Sequence, residues 1–112
     1  MPFENHERKR FKNTIPANSA DRSIIAAVAG KRIIVTSLII SCGGTATTLQ
    51  FQSKAGSDAG VDIGPLFSLP ANGCVPIPVM VDGLFETVAG AALVADTSNH
   101  AAVSVSGTYI EA

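Results

Sequence analysis

The sequence predicts an all-β fold: about eight short antiparallel strands in a jelly-roll-like β-sandwich, with an extended N-terminal arm. Three observations carry that prediction. Polar and apolar residues alternate at period two, as where Leu49 and Phe51 fall on one face and Thr48, Gln50 and Gln52 on the other. Ten glycines and six prolines divide the chain into short elements. Hydrophobic residues make up 46% of the chain but aromatic residues only 5%, with no tryptophan, so the core is built from Ala, Val, Ile and Leu, which suits thin sheets in close contact. At 112 residues the chain is one domain, and a chain of that size buries about 60–70% of its unfolded surface.

The elements follow in order. Met1 to Asp21 carry few large apolar residues (Phe3, Phe11, Ile15), no sustained periodicity, and a turn-rich end at Pro16-Ala17-Asn18-Ser19. Residues 1–21 therefore read as an extended arm that orders only against something else, and 22–112 as the sandwich body. Removing residues 2–20 is expected to leave the body folded.

Ser23–Val28 is the first strand, closed by Ala29-Gly30. Lys31–Ser53 reads as a central antiparallel hairpin: a β-branched run (Ile33, Ile34, Val35, Thr36), a glycine turn at Cys42-Gly43-Gly44, and the alternating stretch that follows. Lys54–Asp62 is a loop by composition. Ile63–Leu69 is a strand whose Pro65 marks an edge or a bulge. Pro70-Ala71-Asn72-Gly73 is a turn, and Asn-Gly is a strong hairpin signal.

Cys74–Val81 places Val75, Ile77, Val79 and Val81 on the core side. Pro76 and Pro78 leave one side of this strand without amide donors, so it is an edge that refuses further pairing. Leu84–Val88 and Ala91–Asp96 are short strands, and Thr97-Ser98-Asn99-His100 is the last turn. In the last strand, Ala101–Ile110, Val103, Val105, Gly107 and Tyr109 share one face, and Ser104, Ser106 and Thr108 the other.

The formal net charge of −1 hides an asymmetry. Residues 1–32 hold seven Lys/Arg against Glu4, Glu7 and Asp21, a balance of +4; residues 33–112 hold Lys54 against six acids, a balance of −5. A basic leader on an acidic body points to a partner for the leader. The cluster Arg8-Lys9-Arg10-Lys12, flanked by Phe3 and Phe11, carries only +2 over the first twelve residues. Nucleic-acid binding calls for a broader basic face, so an acidic patch on a protein partner fits better.

Catalytic chemistry finds little to work with. His6 and His100 are the only histidines, one in the arm and one in a turn, which excludes a two-histidine metal site within the body. Cys42 and Cys74 form no CxxC and read as buried free thiols, with a disulfide between them left open because the sequence does not place them within bonding distance. A Ser-His-Asp triad within the body would have to use His100. Asp58 and Asp62 match no calcium loop and read as solvated loop acids. The expectation is a protein without catalytic residues, metal, cofactor or small-molecule substrate. The N-terminus shows no signal peptide, and Ile33–Ile40, the longest apolar stretch, is too short to span a membrane, so a soluble product of the cytosol is expected.

Residues 22–110 resemble the small head decoration, or cement, proteins of tailed bacteriophages and related virion modules. The resemblance rests on Ala29-Gly30-Lys31-Arg32-Ile33-Ile34-Val35, on Leu66-Phe67-Ser68-Leu69 with Pro70-Ala71-Asn72-Gly73-Cys74, on Gly83-Leu84-Phe85-Glu86-Thr87-Val88-Ala89-Gly90-Ala91-Ala92-Leu93, and on Gly107-Thr108-Tyr109. It implies a jelly-roll-like homotrimer that clamps neighbouring capsomers from the outer surface of the capsid, with the major capsid protein as partner. It implies no catalytic residues.

The arm lies outside the resemblance. From charge and composition alone, Arg8, Lys9, Arg10 and Lys12 are expected to pair with capsid carboxylates, and Phe3 and Phe11 to fill shallow apolar pockets. The alternative is a receptor- or glycan-binding module of a phage tail or fibre, for which the chain offers few exposed aromatic platforms. A jelly-roll enzyme is a third reading, disfavoured by the missing histidines.

Overall fold

A computed structural model describes residues 7–15, 22–80, 82–98 and 102–112. They contain nine strands: β1 (Lys9–Ile15), β2 (Arg22–Ile25), β3 (Ile33–Cys42), β4 (Thr47–Lys54), β5 (Val61–Leu69), β6 (Cys74–Ile77), β7 (Phe85–Glu86), β8 (Ala92–Thr97) and β9 (Val103–Glu111). One sheet runs β1-β9-β3-β6, with β7 also on β3; the other runs β2-β8-β4-β5. Every pairing is antiparallel. β6 and β7 occupy successive stretches of one side of β3, at Leu38–Ser41 and Ile34–Val35, and so serve as a single interrupted edge.

Counted that way, the pairs nest: β1 with β9, β2 with β8, β3 with β6 and β7, β4 with β5. A long hairpin rolled so that its nested pairs form two facing sheets is a jelly roll. The all-β class and sandwich architecture are those the sequence predicts.

The core lies between the sheets. Val35, Leu38 and Ile40 of β3, Val103 and Val105 of β9 and Ile15 of β1 meet Leu49 and Phe51 of β4 and Leu93 and Ala95 of β8. Phe51 stacks obliquely on Phe85 with ring centroids 5.2 Å apart and meets Phe67 edge-on at 6.3 Å. Each buried side chain of this size contributes about 1.5–3 kcal/mol, which lets a core with so few aromatic rings hold two sheets together.

Several expectations fail, each for a physical reason. The boundary after Asp21 is not where the sheet begins. β1 pairs with β9 over seven consecutive residues, and Ile15 is fully buried, so Lys9–Ile15 is part of the body. Removing residues 2–20 would expose one side of β9. Residues 1–6 and 16–21, which include Phe3 and the Pro16–Ser19 turn, lie outside the described residues.

Lys31–Ser53 is not a hairpin. β3 and β4 belong to different sheets, so Gly43–Ala46 carries the chain across the sandwich. Pro70–Gly73 is a turn, with Asn72 at φ 59° and Gly73 N–H donating to Pro70 C=O at 2.9 Å. Yet β5 and β6 also lie in different sheets, so it is a crossing and not a hairpin. Asn is the residue besides Gly that tolerates this left-handed backbone.

β6 is an edge strand carrying Pro76, as expected, but it ends at Ile77, and Val79 beyond it is 51% exposed instead of facing the core. Val81 lies outside the described residues. Cys42 is buried and free, as expected, whereas Cys74 is free and exposed. Cys74 stands opposite Ser41, the neighbour of Cys42, so the two thiols point to opposite faces of the sheet.

Pro65 does mark both an edge and a bulge: Gly64, Pro65 and Leu66 stand against Gln50 alone, and the Gln50 amide donates to the carbonyls of Ile63 (3.1 Å) and Gly64 (3.4 Å). A second bulge, at Thr36 of β3, shapes the outward face of β3 and β9.

Candidate functional site

β1 sorts the basic cluster onto two faces, because successive side chains of a strand point to opposite sides. Phe11 and Ile15 turn toward the sandwich, and Phe11 is half-buried with its ring 6.0 Å from that of Tyr109, edge to face. Lys9 shares that side, and its Nζ lies 2.6 Å from Glu111 Oε1. Arg10 and Lys12 point outward and are exposed, as is Arg8 just before the strand.

Of the residues expected to contact a partner, Arg10 and Lys12 are thus brought together on one face. Lys9 and Phe11 have partners within the chain, and Phe3 lies outside the described residues. Among the described residues the ion pairs are Lys9–Glu111 and Arg32–Glu86 (2.5 Å), so no described carboxylate pairs with Arg10 or Lys12.

Strand register extends this face across the sheet. Arg10 stands opposite Thr108, and Thr108 opposite Ser37; Lys12 stands opposite Ser106, and Ser106 opposite Ile39, which in turn faces Pro76. These rows border a shallow depression of about 450 Å³ lined by Arg10, Phe11, Lys12, Ser37, Ile39, Ser106, Gly107 and Thr108.

The bulge at Thr36 holds its floor. Thr36 Oγ1 and Ser37 Oγ each lie 2.7 Å from Thr108 Oγ1, forming a short chain of hydroxyls across the strand pair. Gly107 is required here, because a Cβ would run into the Ser37 carbonyl oxygen. The sequence shows the alternating Ser104, Ser106 and Thr108, but places neither Ser37 nor Ile39 beside them, since that depends on the β3–β9 register. Ile39 is an exposed apolar residue on the outward side of β3, 50% exposed between Leu38 and Ile40, which are both fully buried.

The Glu111 carboxylate, by accepting a hydrogen bond and by its charge, raises the pKa of Lys9 above the ordinary lysine value. Among the described residues no three His, Cys, Asp or Glu side chains stand close enough to hold a metal ion, and no helix is long and apolar enough to cross a membrane. His6 and His100 lie outside the described residues.

No protein-family model matches the chain, and no curated protein matches it in sequence. Solved structures similar in outline include two from bacterial and prophage sources. The SPBc2 prophage-derived protein YomS is 10% identical at a TM-score of 0.43, over 95% of this chain and 96% of that one. The Yersinia pseudotuberculosis-derived mitogen (YPM) is 12% identical at a TM-score of 0.35, over 94% and 86%. At these scores neither likeness bears on function.

Proposed function

We propose that the chain is a structural virion protein that binds the outer surface of a phage capsid as a trimeric decoration protein and stabilises the contacts between capsomers. The observation that carries this reading is the outward pair Arg10 and Lys12, free of described carboxylates, on a body whose residues 33–112 are acidic overall.

Exposed ion pairs contribute only about 0.2–1 kcal/mol each, so one copy would hold weakly. Three copies in a trimer change that. Once one is docked the others bind at high effective concentration, and avidity supplies what each contact lacks. A clip of this kind acts physically: spanning several subunits, it raises the cost of separating them under the outward pressure of packaged DNA.

The test is to add the purified protein to tailed-phage capsids free of decoration and to image the particles at subunit resolution. Three-lobed density over capsomer boundaries is the expected result. Bare capsids at saturating protein would overturn the reading and promote the tail or fibre module.

A further inference from the structure

We infer that the outward face of β1, β9 and β3 is a docking groove for an extended acidic segment of a protein partner, with its carboxylates on Arg10 and Lys12 and an apolar side chain on Ile39. The inference deepens the reading of the chain as a protein-binding module and rests on it. It moves the contact from an arm to the paired strands of a sheet.

Geometry supports the occupant. Arg10 and Lys12 are two residues apart on one strand, so their positions repeat at about 7 Å, the spacing at which alternate carboxylates project from an extended peptide. Strands in a sheet lie about 4.8 Å apart, which sets Ile39 about 10 Å from Lys12 across β9. Between them stand only short side chains, Ser106, Thr108 and Ser37, which let a backbone approach closely and offer hydroxyls to its amide groups. The Thr36–Thr108–Ser37 hydroxyl chain holds that floor in place before anything binds.

The chemistry also discriminates. A carboxylated sugar would satisfy the two cations and the hydroxyls, but it favours an aromatic platform. Phe11, the aromatic residue that lines the depression, turns its ring toward the sandwich against Tyr109. Ile39 and its neighbour Pro76 instead offer an apolar spot to a side chain such as Leu. Cations on an edge strand also discourage unwanted strand pairing, but that role makes no use of Ile39.

The experiment titrates the full-length, 15N-labelled chain with a synthetic nine-residue peptide carrying Glu at alternate positions followed by Leu. The same peptide with Gln for Glu, and an oligogalacturonate, are the comparisons. Saturable NMR shifts centred on Arg10, Lys12, Ser37, Ile39, Ser106 and Thr108 are expected, with the Gln peptide bound about tenfold more weakly. R10E/K12E should lose binding by a similar factor, and Ile39→Ser should weaken it several-fold with Arg10 and Lys12 intact.

The inference is overturned by shifts elsewhere or absent, by equal affinity for the Gln peptide, or by tighter binding of the oligogalacturonate. Capsid occupancy unchanged in R10E/K12E would also overturn it while leaving the capsid reading intact. Peptide binding with bare capsids would uphold the groove and remove the capsid.

Discussion

Lys9 Nζ lies 2.6 Å from Glu111 Oε1, joining the first residue of β1 to the last residue of β9 across almost the whole length of the chain. The pair closes the outermost layer of the rolled hairpin and anchors the strand that presents Arg10 and Lys12. A lysine whose pKa is higher in the folded than in the unfolded state stabilises the fold while it is charged. That contribution is complete below the unfolded value and is lost as pH rises through the raised folded value. The start of β1 should therefore loosen on the alkaline side, with no loss from this lysine on the acid side. Followed through the Phe11 ring signals in NMR, the alkaline step should move to lower pH in Glu111→Gln, which removes the cause of the shift.

Ile15 tests whether β1 belongs to the body. Its side chain is fully buried in the core cluster, so Ile15→Ala should cost about 2–5 kcal/mol through lost burial and the cavity left behind. Urea unfolding measures this directly. A free arm would leave the midpoint where it is in the parent chain.

Gly107→Ala should destabilise the protein by about 1–3 kcal/mol, the usual cost of forcing extra atoms into a packed site. The new methyl runs into the Ser37 carbonyl and the backbone of Leu38, and neither is the end of a flexible side chain. Because the same bulge shapes the floor of the groove, the variant should also shift the Ser37 and Thr108 signals. An unchanged unfolding midpoint would show that the bulge relaxes freely.

The two thiols should react apart. Cys74 is exposed and Cys42 is buried, with its Sγ 3.2 Å from the Thr45 carbonyl oxygen. One equivalent of a thiol reagent should therefore react rapidly in the native protein and the second only on unfolding. Two fast equivalents, or none, would contradict the placement of β6 against β3.

Much of the fold is legible in the residues themselves. Alternation in Thr47–Lys54 and Val103–Tyr109 marks strands with one inward face: the structure buries it throughout β4, and at Val103 and Val105 of β9, with Tyr109 half-buried. Pro65 and Pro76 mark edges, and both sit on edge strands. β1 is harder to read, because an edge strand half in solvent keeps only Phe11 and Ile15 as apolar markers, and charged neighbours obscure their period. The candidate face divides in the same way: its cations are visible in the sequence, while Ser37 and Ile39 join it only through the register of β3 on β9.

By itself, then, the sequence determined that this chain is all-β, where most strands of the body begin and turn, which side of β4 faces inward, and that its positive charge gathers before residue 33. The tertiary structure decided which strands share a sheet, that Lys9–Ile15 is one of them, and that Arg10 and Lys12 face outward while Lys9 and Phe11 turn in. The reason is physical. A period of two records that one face is buried, but the covering partner can lie beside the strand or across the sandwich, and only long-range closure of the roll distinguishes them.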